Sequence, residues 1–350
     1  MTMSSGNTIW LVLDSKSNGG IETHVLELAK GLSLYGLDVN VVFLKNHGYH
    51  PLREALISAG IETTSLDGGL RSLIKKIKLL NPRIIHSHGY KASLFCCLAA
   101  KCTSIFHSST FHAGEPGKGK MALYDWLHRQ SSRFIDKNFT VSKEIASRLP
   151  VKSTLLDNFI SVPDPSPKSD SQIAFVGRLS EEKGPDHILS IASRLPGIQF
   201  DIYGDGPLMD TLRHEATDNC RFHGNQPSME AHWANIDLLL MPSRYEGLPM
   251  AALEAMARRI PVIAFNVGAM DKVILPDQNG WLVIANQVES FQQKIEDWLN
   301  MDIDQKNAVR DAARDHICSH FSSQKIIPLL LEQYSRGSGT NFLSCNAICN

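Results

Sequence analysis

Two cations, Arg178 and Lys183, stand in the run FVGRLSEEKG from Phe175 to Gly184, directly after an apolar stretch. At the carboxyl end of a strand, such a pair can neutralise a diphosphate without a divalent ion. Two carboxylates follow in PSRYEGLPMAALEAMA, Pro242 to Ala257: Glu246 and Glu254. A glutamate pair at this spacing arises by chance in a chain of this composition, so context must carry the argument. Glu246 closes a strand and turn, Gly247 and Leu248 offer backbone N–H groups, and Pro249 opens a helix with Glu254 in its second turn. Both carboxylates and a helix N-terminus are thereby aimed at one place, where sugar hydroxyls could be held. Departure of a sugar from a nucleoside diphosphate is the chemistry this set can serve. Between the two runs lies Gly204-Asp205-Gly206-Pro207, which taken alone is a turn.

The first half offers a different set. Asn18-Gly19-Gly20 follows an apolar run and opens a helix, so Gly20 allows close approach of a ligand. No third glycine stands at dinucleotide spacing, which argues against NAD. His86, His88 and His112 lie near strand ends; His86 reads as a core residue, whereas His112 precedes a Gly/Pro-rich basic loop, Ala113 to Lys120, where a substrate could enter. A lone DxD, Asp302-Ile303-Asp304, falls between two helices, where Asp304 reads as an N-cap and not a metal ligand. No nucleophile elbow, Walker loop or zinc spacing occurs.

These groups need elements to position them. At 350 residues, with 43% hydrophobic and 20% charged residues, the chain is long enough for two globular domains. No apolar run reaches bilayer length, and the N-terminus lacks the pattern of a signal peptide. The seven cysteines form no spaced framework and read as reduced thiols, so a cytoplasmic location is expected. Apolar runs at Ile9–Leu13, Val39–Leu44, Arg83–Ser87 and Phe139–Ser142 alternate with helical patterns at Ile21–Tyr35, Leu70–Leu80 and Lys91–Ala100. The alternation breaks in SVPDPSPKSDS and resumes with Gln172–Val176, Gln199–Tyr203, Ile236–Met241 and Pro261–Ala264, followed by a helical C-terminal part. The expected class is α/β: a domain over 1–160, a linker over 161–171, a second over 172–320, a helix over 321–336 with Pro328 inside, and a mobile tail over 337–350. Ligands of two doubly wound sheets would sit in a cleft between them.

Together these runs resemble the GT-B-fold retaining glycosyltransferases of family 4, the glycosyl transferases group 1. The segments that carry the resemblance are GGIETHVLELAKGL, RIIHSHG, FHAG, NFTVSKEIASRL, LLDNFI, FVGRLSEEKG, IYGDGPL, FHGN, PSRYEGLPMAALEAMA and PVIA, in that order. The resemblance implies two Rossmann-like domains facing across a cleft, the first on the acceptor side, the second holding a nucleotide sugar, and a C-terminal helix crossing back to the first. It implies Arg178 and Lys183 on the diphosphate, Glu254 on the ribose hydroxyls, and Glu246 with the Gly247 and Leu248 amides on the transferred sugar. Gly20 would approach the donor phosphates, and His112 matches the active-site histidine. After PVIA the family usually has two glycines and, three residues later, a glutamate. Here Val267-Gly268-Ala269-Met270-Asp271-Lys272 has alanine at the second glycine and lysine at the acid.

The expected function is therefore transfer of a hexose, or an N-acetylhexosamine, from a nucleoside-diphosphate sugar by a metal-independent front-face reaction, with no cofactor. A sugar-nucleotide epimerase of the same fold and a non-catalytic sugar-nucleotide-binding protein are the alternatives. Charge speaks to the acceptor. Residues 1–160 carry 19 Lys and Arg against 12 Asp and Glu, and residues 161–350 carry 16 against 24. Lys75, Lys76 and Lys78 beside an apolar stripe in Leu70–Leu80, with Lys118, Lys120, Arg129 and Arg133, suggest contact with an anionic membrane. A lipid-linked or surface-polysaccharide acceptor follows, with no nucleic acid among the partners.

Overall fold

Five apolar residues in a row, Ile9–Leu13, form strand β1, buried throughout. Ile9, Leu11 and Leu13 enter one hydrophobic cluster, Trp10 and Val12 another. A strand with two apolar faces needs a layer on each side, and the helices supply both. The computed structural model describes residues 8–16, 19–112, 120–164, 172–339 and 342. It separates into two units, Met1–Ser161 with Ser323–Asn350, and Val162–Ser322.

In unit one, β1 is joined by β2 (Val39–Phe43), β3 (Glu62–Ser65), β4 (Ile84–His88), β5 (Phe106–Phe111), β6 (Lys137–Thr140) and β7 (Thr154–Leu155). The order is β3-β2-β1-β4-β5-β6-β7, parallel throughout. Its helices are α1 (Gly20–Leu34), α2 (Pro51–Ser58), α3 (Leu70–Leu80), α4 (Tyr90–Thr103), α5 (Lys120–Ser131) and α6 (Lys143–Arg148). Unit two contains β8 (Gln172–Val176), β9 (Phe200–Tyr203), β10 (Cys220–Gly224), β11 (Ile236–Met241), β12 (Val262–Phe265) and β13 (Gly280–Val283), ordered β10-β9-β8-β11-β12-β13. Its helices are α7 (Pro185–Arg194), α8 (Met209–Glu215), α9 (Met250–Ala257), α10 (Met270–Val273), α11 (Val288–Asn300) and α12 (Ile303–His320). Both sheets reverse direction beside their first strand, between β1 and β4 and between β8 and β11. That reversal is where open α/β sheets bind ligands.

The last helix, α13 (Ser323–Ser338), contains Pro328 and packs in unit one. Ile326, Ile327, Leu330, Leu331 and Tyr334 enter the same cluster as α1 and one face of β1. Residues expected in the linker from 165 onward, in the loop 113–119, and in most of the tail lie outside the described residues, as do Asn18 and Lys118.

One expectation needs correcting. The N-cap before α12 is Asp302, not Asp304: Asp302 Oδ1 accepts from the Gln305 amide at 2.8 Å, and the Gln305 side chain returns to the Asp302 amide at 3.1 Å. Helix α3 uses its apolar stripe internally, burying Leu73 and Ile77 against the sheet and leaving Leu79 exposed. An amphipathic pattern alone does not distinguish a sheet-covering helix from a membrane-lying one.

Candidate active site

In unit two the reversal point is built from the loops after β8 and β11. The β8 loop carries Arg178 and, in a short 3-10 turn, Lys183; the β11 loop carries Ser243 to Pro249. Two contacts sew them together. The Arg244 and Tyr245 amides donate to the Glu182 carbonyl at 2.8 and 3.2 Å, and the Arg244 guanidinium clamps Asp186 through two bonds of 2.8 and 2.6 Å. The Arg244 hydrogen bonds hold the Asp186 carboxyl below its ordinary range, outweighing partial burial.

This stitching brings Lys183 to Glu246. Lys183 Nζ donates to both carboxylate oxygens, at 2.9 and 2.8 Å, and Ser243 Oγ donates to Glu246 Oε1 at 2.7 Å. The Glu246 side chain is 4% exposed and that of Lys183 29%, so the pair presents mainly its cationic end outward. Arg178 is exposed, with no carboxylate partner among the described residues. Glu254 is half-buried on α9, and its backbone carbonyl accepts from Arg258 at 3.0 Å. Leu248 is buried, and the Gly247 carbonyl accepts from the Ala269 amide at 2.9 Å. Ser243 was not apparent from the sequence, although a hydroxyl three residues before a glutamate in a tight turn is a usable signal.

The glycine turn after β9 is more than a turn. The Gly177 amide donates to the Tyr203 carbonyl, the Leu179 amide to Asp205, and the Leu208 amide to Leu179, each at 3.0 Å. Gly204 has φ +133°, and a Cβ there would run into the Gly177 carbonyl. The turn therefore fixes the backbone on both sides of Arg178. Gly268 does the same for the β11 loop: at φ +63°, its Cβ would meet the Glu246 carbonyl. The next residue, Ala269, has φ −110°, a conformation open to any side chain, which explains why alanine is accepted there.

Unit one brings histidines together at its own reversal point. His88 ends β4, His112 follows β5, and His24 lies on α1 one turn after Gly20, itself the exposed first residue of that helix. His88 Nδ1 and His112 Nε2 are 3.2 Å apart, and the His24 ring meets that of His112 edge-on at 4.6 Å. Burial drives all three below the ordinary imidazole value, His24 to about 4 despite the Asn158 side chain, and the neighbouring imidazoles push His88 and His112 further down. His86 is a core residue, bonded to the Tyr334 hydroxyl and, at 2.7 Å, to Thr110 Oγ1. His24 escaped notice because a single histidine on a helix carries no signal until the sheet order places it.

Two family models match the chain: Glycosyltransferase Family 4 over residues 18–150, and Glycosyl transferases group 1 over residues 158–316. The chain belongs to the glycosyl transferases group 1 family. As a group 1 glycosyltransferase it is similar to glycogen synthase of Mycobacterium tuberculosis, 25% identical over 287 residues, covering 72% of this chain and 68% of the relative. It is also similar to the UDP-Gal:alpha-D-GlcNAc-diphosphoundecaprenol alpha-1,3-galactosyltransferase of Escherichia coli, 25% identical over 273 residues, 65% and 70% of the two chains. The crystal structure of Anabaena HepE in complex with UDP-glucose matches with a TM-score of 0.83 at 15% identity, over 94% of this chain and 100% of that one. That likeness shows the GT-B fold. The group 1 glycosyltransferase therefore carries two doubly wound units, with Arg178, Lys183, Glu246, Gly247, Leu248 and Glu254 in unit two and Gly20 and His112 in unit one.

Proposed function

We propose that this glycosyltransferase moves a hexose or N-acetylhexosamine from a nucleoside-diphosphate sugar, with retention and without a metal ion, to a lipid-linked or surface-polysaccharide acceptor. The observation that carries the reading is the bidentate Lys183–Glu246 pair at the reversal point of unit two, next in the fold to an Arg178 lacking a carboxylate partner among the described residues. In the reaction the bond between the anomeric carbon and the phosphate oxygen breaks, and charge grows on that oxygen. Arg178 and Lys183 stabilise this charge more than that of the ground state, which is what lowers a barrier. Glu246 holds Lys183 and accepts from the sugar hydroxyls, the Gly247 and Leu248 amides add to that grip, and Glu254 takes the ribose hydroxyls. Gly20 lets the helix terminus approach the donor phosphates. The acceptor oxygen bonds to the anomeric carbon on the face being vacated, and its proton passes to the departing phosphate. His112 binds a hydroxyl or carbonyl beside the reacting carbon.

Charge and exposed apolar surface support the acceptor class. Unit one carries 21 Lys and Arg against 13 Asp and Glu, and unit two 14 against 23. On α5, Leu123, Tyr124 and Trp126 are all at least half exposed, with Arg129 one turn further on. Such a face suits a lipid headgroup and the chain beneath it. The Escherichia coli relative, by its name, acts on a diphosphoundecaprenol-linked sugar. Work at the inner face of the cytoplasmic membrane fits this chemistry, and no helix among the described residues is long and apolar enough to cross a membrane.

A panel of nucleotide sugars, assayed for nucleoside diphosphate release with and without lipid-linked or polysaccharide acceptors, tests the reading. One donor class should be consumed only with acceptor, giving the donor's anomeric configuration in the product. Acceptor-independent release with an epimerised sugar would make the protein an epimerase. Binding without turnover on any acceptor would make it a sugar-nucleotide-binding protein.

A further inference from the structure

The three histidines at the reversal point of unit one are packed unlike their neighbours. His86, His107 and His128 each bond a hydroxyl: Thr110 and Tyr334, Ser87, and Ser93, although Nδ1 of His107 is unpaired among the described residues. By contrast, the polar side chain that reaches the His24 ring is Asn158, whose contact falls outside good hydrogen-bond geometry, and Nε2 of His88 has no partner among the described residues; both histidines are 1% exposed. Leaving a buried polar atom unpaired is costly, so a cluster of such atoms calls for a ligand or a reason. One nitrogen from each of His24, His88 and His112 lies within 4.8 Å of the other two. The His88 Nδ1 to His112 Nε2 separation of 3.2 Å is already close to the edge of a tetrahedron around zinc, which is roughly 3.3 Å for metal–nitrogen bonds near 2.0–2.1 Å.

We propose that His24, His88 and His112 form a binding site for one borderline divalent transition-metal ion, Zn²⁺ being the natural occupant. Three imidazoles with no carboxylate select against Mg²⁺, Mn²⁺ and Ca²⁺, which take oxygen ligands, and favour Zn²⁺, Ni²⁺ or Cu²⁺. Three protein ligands leave a fourth position, and His112, half-buried where His24 and His88 are enclosed, is the side from which an ion or water enters. The ion replaces the His88–His112 hydrogen bond and draws the His24 ring in by rotation. A ring nitrogen of His112 bound to metal no longer serves a substrate. Zinc is thus an inhibitor of transfer and not its cofactor, a consequence that rests on the role given to His112 above; the site itself does not.

The test begins with full-length protein stripped by EDTA and titrated with Zn²⁺. One equivalent should bind per chain, zinc-edge X-ray absorption should count three imidazoles, and Co²⁺ in its place should give the intense visible bands of four-coordinate cobalt. His24→Gln and His88→Gln should each weaken Zn²⁺ binding at least tenfold. The zinc-edge count on unmodified protein decides the matter even where a variant folds poorly. His316 and His320, one turn apart on α12, are the competing pair; His320→Ala should leave binding unchanged. Absence of stoichiometric binding, fewer than three imidazoles at the edge, or loss of binding only in His320→Ala would overturn the site. Stoichiometric zinc at three imidazoles with transfer unaffected would uphold the site and remove His112 from the reaction instead.

Discussion

Replacing Lys183 by Met leaves the Glu246 carboxylate, 4% exposed, with Ser243 still donating but its cation gone. An uncompensated buried charge costs about 3–5 kcal/mol, and partial exposure of the lysine puts this case at the lower end. Lys183→Met should therefore lower the melting temperature of unit two as well as transfer. Glu246→Gln keeps the shape but sets an NH2 donor where Lys183 now donates to the second oxygen, so it should lower the melting temperature as well as kcat. Arg178 is exposed and outside any ion pair among the described residues, so Arg178→Ala should leave the melt within about 0.5 kcal/mol. Its kcat should nevertheless drop roughly 10²–10³-fold, the scale of removing one charge-stabilising donor. Glu254→Ala should weaken nucleoside diphosphate binding about tenfold with kcat little changed, since ribose contacts are the same in ground and transition states. A normal affinity in a calorimetric titration would remove Glu254 from the donor site.

At the scale of the element, the loops of unit two owe their shape to backbone packed on backbone. Gly204→Ala should cost about 3 kcal/mol or more and weaken nucleotide binding, because both φ +133° and the Gly177 carbonyl oppose a Cβ; a melt equal to that of the parent would refute the account. Strand β5 makes a different prediction. Its segment FHSSTF is polar yet buried over its last five residues, held by Ser87, Ser93, Ser109, His107 and His128 in one network. Burial lowers His107 and His128 to about 3, so the folded chain keeps both neutral where the unfolded chain, near 6.5, takes up protons. Their contribution to stability is whole above pH 6.5 and is lost as pH falls toward 3. At pH 5.5 each contributes about 1.4 kcal/mol less than at neutrality, to be read from melts across that range. The same strand shows where the sequence was illegible. Apolar runs announced β1, β2, β8 and β11, and the Lys183 and Glu246 motifs could be placed from them. Strands β3 and β10, whose residues are polar or mixed, gave no run to read, and β5 was legible only as a strand end near His112, because a strand stabilised by side-chain hydrogen bonds has no hydrophobic period to detect. Without the span and pairing of β5, the approach of His112 to His88 and His24 was out of reach.

At the scale of the molecule, a reaction run on side-chain cations should survive EDTA; complete loss, restored by Mg²⁺ or Mn²⁺, would reject it. With zinc at the histidines, chelation should raise the rate of a preparation that carries the ion. The excess of positive charge in unit one predicts sedimentation with anionic liposomes at low salt and release at high salt. Equal partition onto neutral and anionic vesicles would favour a water-soluble acceptor. The placement of α13 has a consequence for biosynthesis. Its apolar face completes the core that contains β1, yet the ribosome makes the 161 residues from Val162 to Ser322 in between. At about 5–20 residues per second that interval lasts roughly 8–30 s, during which α1 and β1 wait with apolar surface uncovered while unit two, contiguous in sequence, is free to fold. The nascent chain is thus most prone to aggregation in unit one, and a stop codon before Ser323 should lower the melting temperature of that unit while leaving the melt of unit two unchanged.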